Sequence, residues 1–344
     1  MKARALRKVL LIQAIEETDR SGEALPLAER IEATRAVIGK NPPDLQAQAE
    51  APLSSATEWV LVRRAETLLS LLRERSPGID HVLAIAGGAI SFDRSLLLMA
   101  FALGVLLSFL DGHPGINILA PPLVGLVIWN ALVLLFMLAR GSASSWPAGL
   151  YSRWARGHFQ RLLIHSTRFN APLAPGLRRF AGDWWEVAQP LFAARGRRLL
   201  HLCAVLVALG LAVGYYFRAY LLFSLFSHAG WAAGNLLGPT TAHAVLILLY
   251  GPAALLAGIT LPTTEGIAEL RWTVGSHGGG DATVWVHLIA WTAFLYIMLP
   301  RLLAVLISTF GLWRLSRQLP LPPGIATYVR TVFAAERFEE PHDV

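Results

Sequence analysis

Ile116 to Ala139 reads INILAPPLVGLVIWNALVLLFMLA, 24 residues with no charge and two amides, Asn117 and Asn130. A bilayer core about 30 Å thick is crossed by roughly 20 mostly apolar helical residues, so this stretch predicts a membrane span. Just upstream, Ser95 to Leu110 (SLLLMAFALGVLLSFL) is a shorter one. Asp111, Gly112, His113, Pro114 and Gly115 between them supply charge and turn formers, so the two read as a hairpin. Downstream come Leu199 to Tyr216 (LLHLCAVLVALGLAVGYY) and Ala282 to Leu299, the latter followed by a second apolar run, Leu302 to Trp313. Composition agrees with this reading. The chain is 54% hydrophobic and 15% charged, where a soluble domain carries about 25% charged residues, and its mean hydropathy is +0.49. The fold class that follows is all-α and integral to a membrane.

Charge sets the orientation. Residues 140 to 198 hold ten arginines against Asp183 and Glu186, a formal +8, and cytoplasmic loops carry the excess of Lys and Arg. Leu199 to Tyr216 then crosses outward. Leu236 to Ile259 is long enough to cross back, yet it is interrupted by Gly238-Pro239 and Gly251-Pro252 and carries His243. Were it to cross, Glu265, Glu269 and Asp281 against Arg271, a formal −2, would lie inside and Arg314 and Arg317 outside. Both placements oppose the rule. The expectation is therefore four transmembrane helices with both termini cytoplasmic. Residues 222 to 281 form an external helical segment that lies on or dips into the outer leaflet, bent at Gly251-Pro252. An ordinary fifth span is the alternative.

Residues 1 to 94 differ in kind, with 13 basic and 13 acidic residues. Leu6, Val9, Leu10, Gln13 and Ile15, with Glu16, Glu17 and Asp19, predict an amphipathic helix, and VLLI is too short for the apolar core of a signal peptide. Thr57 to Arg75 predicts a second helix, stopped by Ser76-Pro77-Gly78. The divisions are thus 1–94, a cytoplasmic helical subdomain; 95–139, a transmembrane hairpin; 140–198, a basic cytoplasmic loop; 199–221, the third span; 222–281, the external segment; 282–313, the fourth span with a juxtamembrane extension; and 314–344, a cytoplasmic tail.

Motifs exclude more than they assign. There is no phosphate loop, dinucleotide fingerprint, HExxH, CxxC or GxSxG, and no cofactor or metal is implied. The single cysteine, Cys203, excludes an intrachain disulfide and a multi-thiolate zinc site. The net charge of +7 could suit nucleic acid, but the arginines gather beside apolar spans, which argues for a membrane and against nucleic acid. The run Gly278-Gly279-Gly280 reads as a loop before a membrane helix. His201, His243 and His287 lie in or near apolar segments without pairing at helical spacing.

Ionisable and polar residues near the bilayer are the candidate functional positions, because a charge at its centre costs at least about 2.5 to 3.5 kcal/mol unless paired or hydrated. Arg218 ends the third span, and His287 sits between Trp285 and Trp291. Arg301 follows Pro300. Either the span ends near Leu299 and Arg301 snorkels to lipid phosphates while Leu302 to Trp313 lies along the surface, or the helix continues and carries Arg301 into a polar interior, to meet an anion or a carboxylate. Asn130 is expected to bond a neighbouring helix, and Gly210 with Gly214 marks close helix packing, within the chain or in a homo-oligomer.

INILAPPLVGLVIWNALVLL (116 to 135), RRLLHLCAVLVALGLAVGYYFRAYLLF (197 to 223) with HAGW (228 to 231), and WVHLIAWTAFLYIMLPRLL (285 to 303) resemble bacterial inner-membrane proteins known only as a domain of unknown function. RRAETLLSLLRER (63 to 75) fits the helical region that precedes their membrane part. After HAGW the chain departs, reading AAGNLL where that family is more polar. The genes of the family commonly neighbour one for a GTPase-like protein. The resemblance therefore implies an inner-membrane anchor or scaffold, non-enzymatic, with a cytosolic GTPase-like partner. A transporter or channel component acting as an oligomer is the other function class, motivated by Arg301, Arg218 and the broken helix at Gly251-Pro252.

Overall fold

The computed structural model describes residues 1–38, 54–87, 92–110, 115–119, 121–140, 171–221, 228–232, 237–272 and 279–337, with a few positions between 153 and 161. The turn at Asp111 to Pro114, most of the basic loop before Ala171, and His277 and Gly278 lie outside the described residues. The chain is chiefly helical and forms two compact units. One comprises residues 1–90, 146–196 and 309–344, the other residues 91–145 and 197–308.

The first unit is built around α1 (Ala3–Thr18). The expectation of an amphipathic helix needs correction: from Val9 to Ile15 every residue is buried, Gln13 included. VLLI places apolar side chains on all sides of a helical turn, and a helix apolar all round belongs inside a body. Around it stand α2 (Leu27–Ile38), α3 (Ser55–Arg75) and α4 (Ile79–Ala86). The Ser54 hydroxyl caps α3 by accepting the Thr57 N–H at 3.2 Å. The turn after α1 closes on Asp19, whose carboxylate accepts the N–H groups of Glu23, Ala24 and Leu25 at 3.1, 3.2 and 2.8 Å and pairs with Arg30 at 2.9 Å. Burial alone would raise this carboxyl, but the Leu25 amide and the Arg30 charge outweigh it and hold it below the ordinary carboxylate value.

Two later segments complete this core. The region read as a basic loop is helical from Ala174, the start of α7 (Ala174–Tyr220), whose Leu177, Phe180, Trp184 and Val187 are buried at helical spacing. The Trp184 indole N–H reaches the Ala86 carbonyl at 3.0 Å. The region read as a tail contains α12 (Ile325–Arg337), with Ile325, Tyr328, Val329, Val332 and Phe333 buried on one stripe. At the centre the Arg64 guanidinium grips both oxygens of Glu16 at 2.6 and 3.1 Å, while the Tyr328 hydroxyl accepts from Arg64 at 2.8 Å and donates to Glu16 at 2.6 Å. A buried ion pair is retained in the folded state when its remaining lone pairs and protons are satisfied in this way.

The second unit holds α5 (Phe92–Leu107), α6 (Pro121–Arg140), the C-terminal half of α7, α8 (Pro239–Ala257), α9 (Thr264–Glu269) and α10 (Ala282–Ala293). A π-turn, Phe294–Met298, leads directly into α11 (Leu299–Arg317). Among the described residues, three helical stretches are long and apolar enough to cross a membrane: Ala174–Tyr220, Pro239–Ala257 and Ala282–Arg317. Their outer faces carry apolar side chains such as Leu248, Leu255 and Ile307, 76%, 83% and 73% exposed, and Leu98 on α5 is 72% exposed. Water would not tolerate such faces over whole helices, whereas lipid matches them.

Local chemistry moves several predicted boundaries. Residues 116–117 do not begin a helix but form β1 (Ile116–Asn117), parallel to β2 (His228–Gly230), which pairs antiparallel with β3 (Gly280–Asp281). Helix α6 starts at Pro121, where a missing N–H costs nothing. Gly238-Pro239 likewise starts α8 and does not interrupt it, and α8 runs unbroken through Gly251-Pro252 to a left-handed Gly258 at φ 67°. Helix α11 continues past Pro300 and does not end at Leu299.

Candidate functional site

Two prolines create the site. Pro252 and Pro300 lack an N–H, so the carbonyls four residues back, on Leu248 and Tyr296, receive no helical hydrogen bond from them. The Tyr296 hydroxyl donates to the Leu248 carbonyl at 2.9 Å. The Tyr296 carbonyl in turn accepts from Asn130 Nδ2 at 2.5 Å. Tyr296 lies in the π-turn, where the backbone shifts to five-residue spacing and the Leu299 N–H bonds the Phe294 carbonyl.

From Asn130 the chain of bonds reaches a charge. Asn130 Oδ1 accepts from Arg301 Nε at 2.5 Å, and Arg301 Nη1 stands 3.1 Å from His201 Nδ1. A guanidinium offers only protons, so Nδ1 is the acceptor and the neutral ring carries its proton on Nε2. Asn130, His201 and Arg301 are 3%, 1% and 3% exposed, which places a cation among apolar helices with an amide oxygen and an imidazole lone pair as its partners. Of the two expected fates of Arg301, snorkelling is corrected, whereas the helix does continue and carries Arg301 into a polar interior, where its partners among the described residues are Asn130 and His201. The arrangement ties α6, α7, α8, the π-turn and α11 together through directional bonds. Polar pairs between membrane helices contribute about 0.6 kcal/mol on average and up to about 2 kcal/mol each.

The remaining candidates lie elsewhere in the same unit. His287 Nδ1 is 2.7 Å from the Tyr216 hydroxyl and Nε2 is 3.3 Å from that of Tyr220, so His287 joins α10 to the end of α7. The buried Arg218 guanidinium lies over the Phe109 ring, 5.1 Å from its centroid, a cation–π contact. Gly210 and Gly214 face α5 so closely that a Cβ at Gly210 would meet the Phe101 carbonyl, and one at Gly214 the Ser108 hydroxyl; Gly104 makes the reciprocal approach to Val207. This is the packing that small residues permit. Among the described residues no group of three or more His, Cys, Asp or Glu is placed to hold a metal ion.

Sequence alone does not single out His201 or Tyr296 as site residues. His201 was visible only as a histidine in an apolar run, and Tyr296 gave a weaker signal, its position four residues before a proline inside a span. No family model matches the chain, and neither a curated protein nor a solved structure does.

Proposed function

We propose that this chain is a non-enzymatic anchor of the bacterial inner membrane, four spans carrying a cytoplasmic helical body on which a cytosolic, GTPase-like partner docks. The observation that carries the reading is how the chain is shared between its units. The stretches 1–90, 146–196 and 309–344 meet in one compact body, and these are the stretches the charge pattern assigns to the cytoplasm. A single packed body occupies a single side of a bilayer. The three connections that supply β1, β2 and β3 meet in one sheet, and by the same logic share one side. Helices α5, α6, the C-terminal half of α7 and α10 with α11 then make four crossings.

Helix α8 fits this count as a re-entrant element. The chain leaves β2 before α8 and is paired with it again at Trp231↔Arg271 and at β3. Thr264 is already back beside α8, its hydroxyl 3.3 Å from His243 Nδ1. Residues 258–263 are too few to recross a hydrocarbon core about 30 Å thick, and their backbone could not be satisfied by lipid. Arg301, bonded through Nε to Asn130 and through Nη1 to His201, supports an anchor whose helices are locked. A π-turn beside two proline-broken ladders favours the second reading, an oligomeric transport component, since such turns concentrate at functional sites.

Two measurements test the proposal. In a Cys203→Ser background, Glu269→Cys should react with a membrane-impermeant thiol reagent on intact cells and Gln318→Cys only after permeabilisation; the opposite pattern overturns the topology. Cross-linking from Gln318→Cys should then capture a cytosolic protein that hydrolyses GTP. Recovery of nothing beyond an unrelated membrane protein's background, together with substrate flux through reconstituted vesicles, would replace the anchor with the transport reading.

A further inference from the structure

The first unit bounds a half-open cavity of about 650 Å³. Five cationic side chains, Lys2, Arg4, Arg7, Arg195 and Arg317, line it, and among its described lining residues there is no carboxylate. Lys2, Arg4 and Arg317 are exposed and Arg7 and Arg195 half-buried, so these like charges gather at the edge of solvent, where an anion would relieve their repulsion. Arg7 shows the need most directly. Its Nε is buried with no hydrogen-bond partner, and its guanidinium sits against Gly87, where an added Cβ would overlap it. Burial, and then the charge of Arg4, push Arg7 below the ordinary arginine value. A buried donor left unmatched costs about 1 to 3 kcal/mol, and an acceptor delivered by a ligand would remove that cost.

The rest of the wall is apolar and aromatic: Trp184, Phe192, Leu312 and Trp313. Arg317 stacks over Trp313 with 3.9 Å between its guanidinium carbon and the ring centroid. Trp313 and Arg317 lie at the end of the apolar stretch that begins at Ala282, and Arg195 lies four residues before the charge-free run from Leu199. Tryptophan and arginine at such positions belong to the interfacial layer, where lipid phosphates are found. Free solutes bearing phosphate would need the cations but not the aromatic wall.

We propose that this cavity binds the phosphate-bearing headgroup of an anionic membrane lipid, with Arg4 and Arg7 on the phosphate oxygens and the Trp313–Leu312 side against the glycerol and first acyl carbons. The proposal goes beyond the anchor reading and rests on it only for the nearness of the bilayer. The cavity lies within the 300 to 1,000 Å³ typical of ligand sites.

The test uses the intact protein in a neutral maltoside detergent, with tryptophan fluorescence as the readout. Dioctanoyl phosphatidylglycerol should bind at least about tenfold more tightly than dioctanoyl phosphatidylcholine, and Arg7→Gln should weaken it by about tenfold or more, the worth of one charge-assisted bond. Arg7→Lys should recover part of the loss. Should Arg7→Gln fail to fold, Arg317→Gln, at the exposed rim, carries the same expectation with a smaller effect. Equal affinity for the two lipids, or no change in either variant, overturns the proposal. Glycerol phosphate or inorganic phosphate binding as tightly as the anionic lipid overturns the lipid assignment in favour of a free phosphate compound. None of these outcomes depends on the thiol-labelling pattern, so this proposal and the anchor topology can fail separately.

Discussion

At Tyr296 one residue serves two prolines, its hydroxyl closing the ladder opened by Pro252 and its carbonyl, exposed by Pro300, receiving Asn130. Asn130→Leu would strand both that carbonyl and the Arg301 Nε, and should lower the stability of the detergent-solubilised protein by about 2 to 4 kcal/mol. Asn130→Leu with Arg301→Leu should cost less than the two singly, with a coupling of about 1 kcal/mol or more in a double-mutant cycle; strict additivity would dissolve the network. Asp19 gives a pH-dependent case. Its folded value is depressed, so its contribution is complete above the ordinary 3.8 and fades as pH falls through the lower folded value. Asp19→Ala should cost about 2 kcal/mol at pH 7, and the gap from the parent should close in urea titrations below about pH 4. Arg301 and Asn130 could be singled out from sequence because polarity inside an apolar run is itself a signal. Their partners could not, since Asn130 lies 166 residues from Tyr296 and Arg301 100 residues from His201, and no local pattern encodes such pairings.

Among elements, α5 and α7 meet through Gly104, Gly210 and Gly214, and the fit leaves no room for a methyl group at Gly210. Gly210→Ala should destabilise by about 1 to 3 kcal/mol in thermal unfolding, whereas Gly311→Ala, with nothing within 4 Å of the new carbon, should gain about 0.5 to 1 kcal/mol from helix propensity. Equal effects would mean that the glycines are incidental. Long apolar runs were legible as helices, and so was α3 with its stop at Ser76, because each follows from local spacing and capping. The helical start of α7 was hidden by its arginines and Pro190, although Leu177, Phe180, Trp184 and Val187 repeat every three or four residues. The prolines at 239, 252 and 300 misled in a common way. Each reads as an interruption, yet the first occupies a first turn where no N–H is needed, and the other two are tolerated because side chains take the freed carbonyls.

For the whole molecule, the first unit depends on α12, which brings Tyr328 to the Arg64–Glu16 pair and Phe333 to the core. Truncation after Pro320 should leave the apolar helices able to insert but make residues 1–90 sensitive to limited proteolysis, where the full chain resists; persistence of the resistant fragment would show that the N-terminal helices suffice alone. The same division of the first unit among residues 1–90, 146–196 and 309–344 governs how the protein can be made. Helix α1, whose Val9 to Ile15 are buried on every side in the finished body, leaves the ribosome long before α12 exists to complete that core. At about 5 to 20 residues per second the wait between Ile90 and Phe333 is roughly 12 to 50 s. Throughout that interval the leading segment exposes a sticky apolar surface beside a translocon still inserting helices, so a holdase chaperone that shelters nascent chains should be a condition of its synthesis, and depleting it should trap the N-terminal segment in aggregates while the spans insert normally.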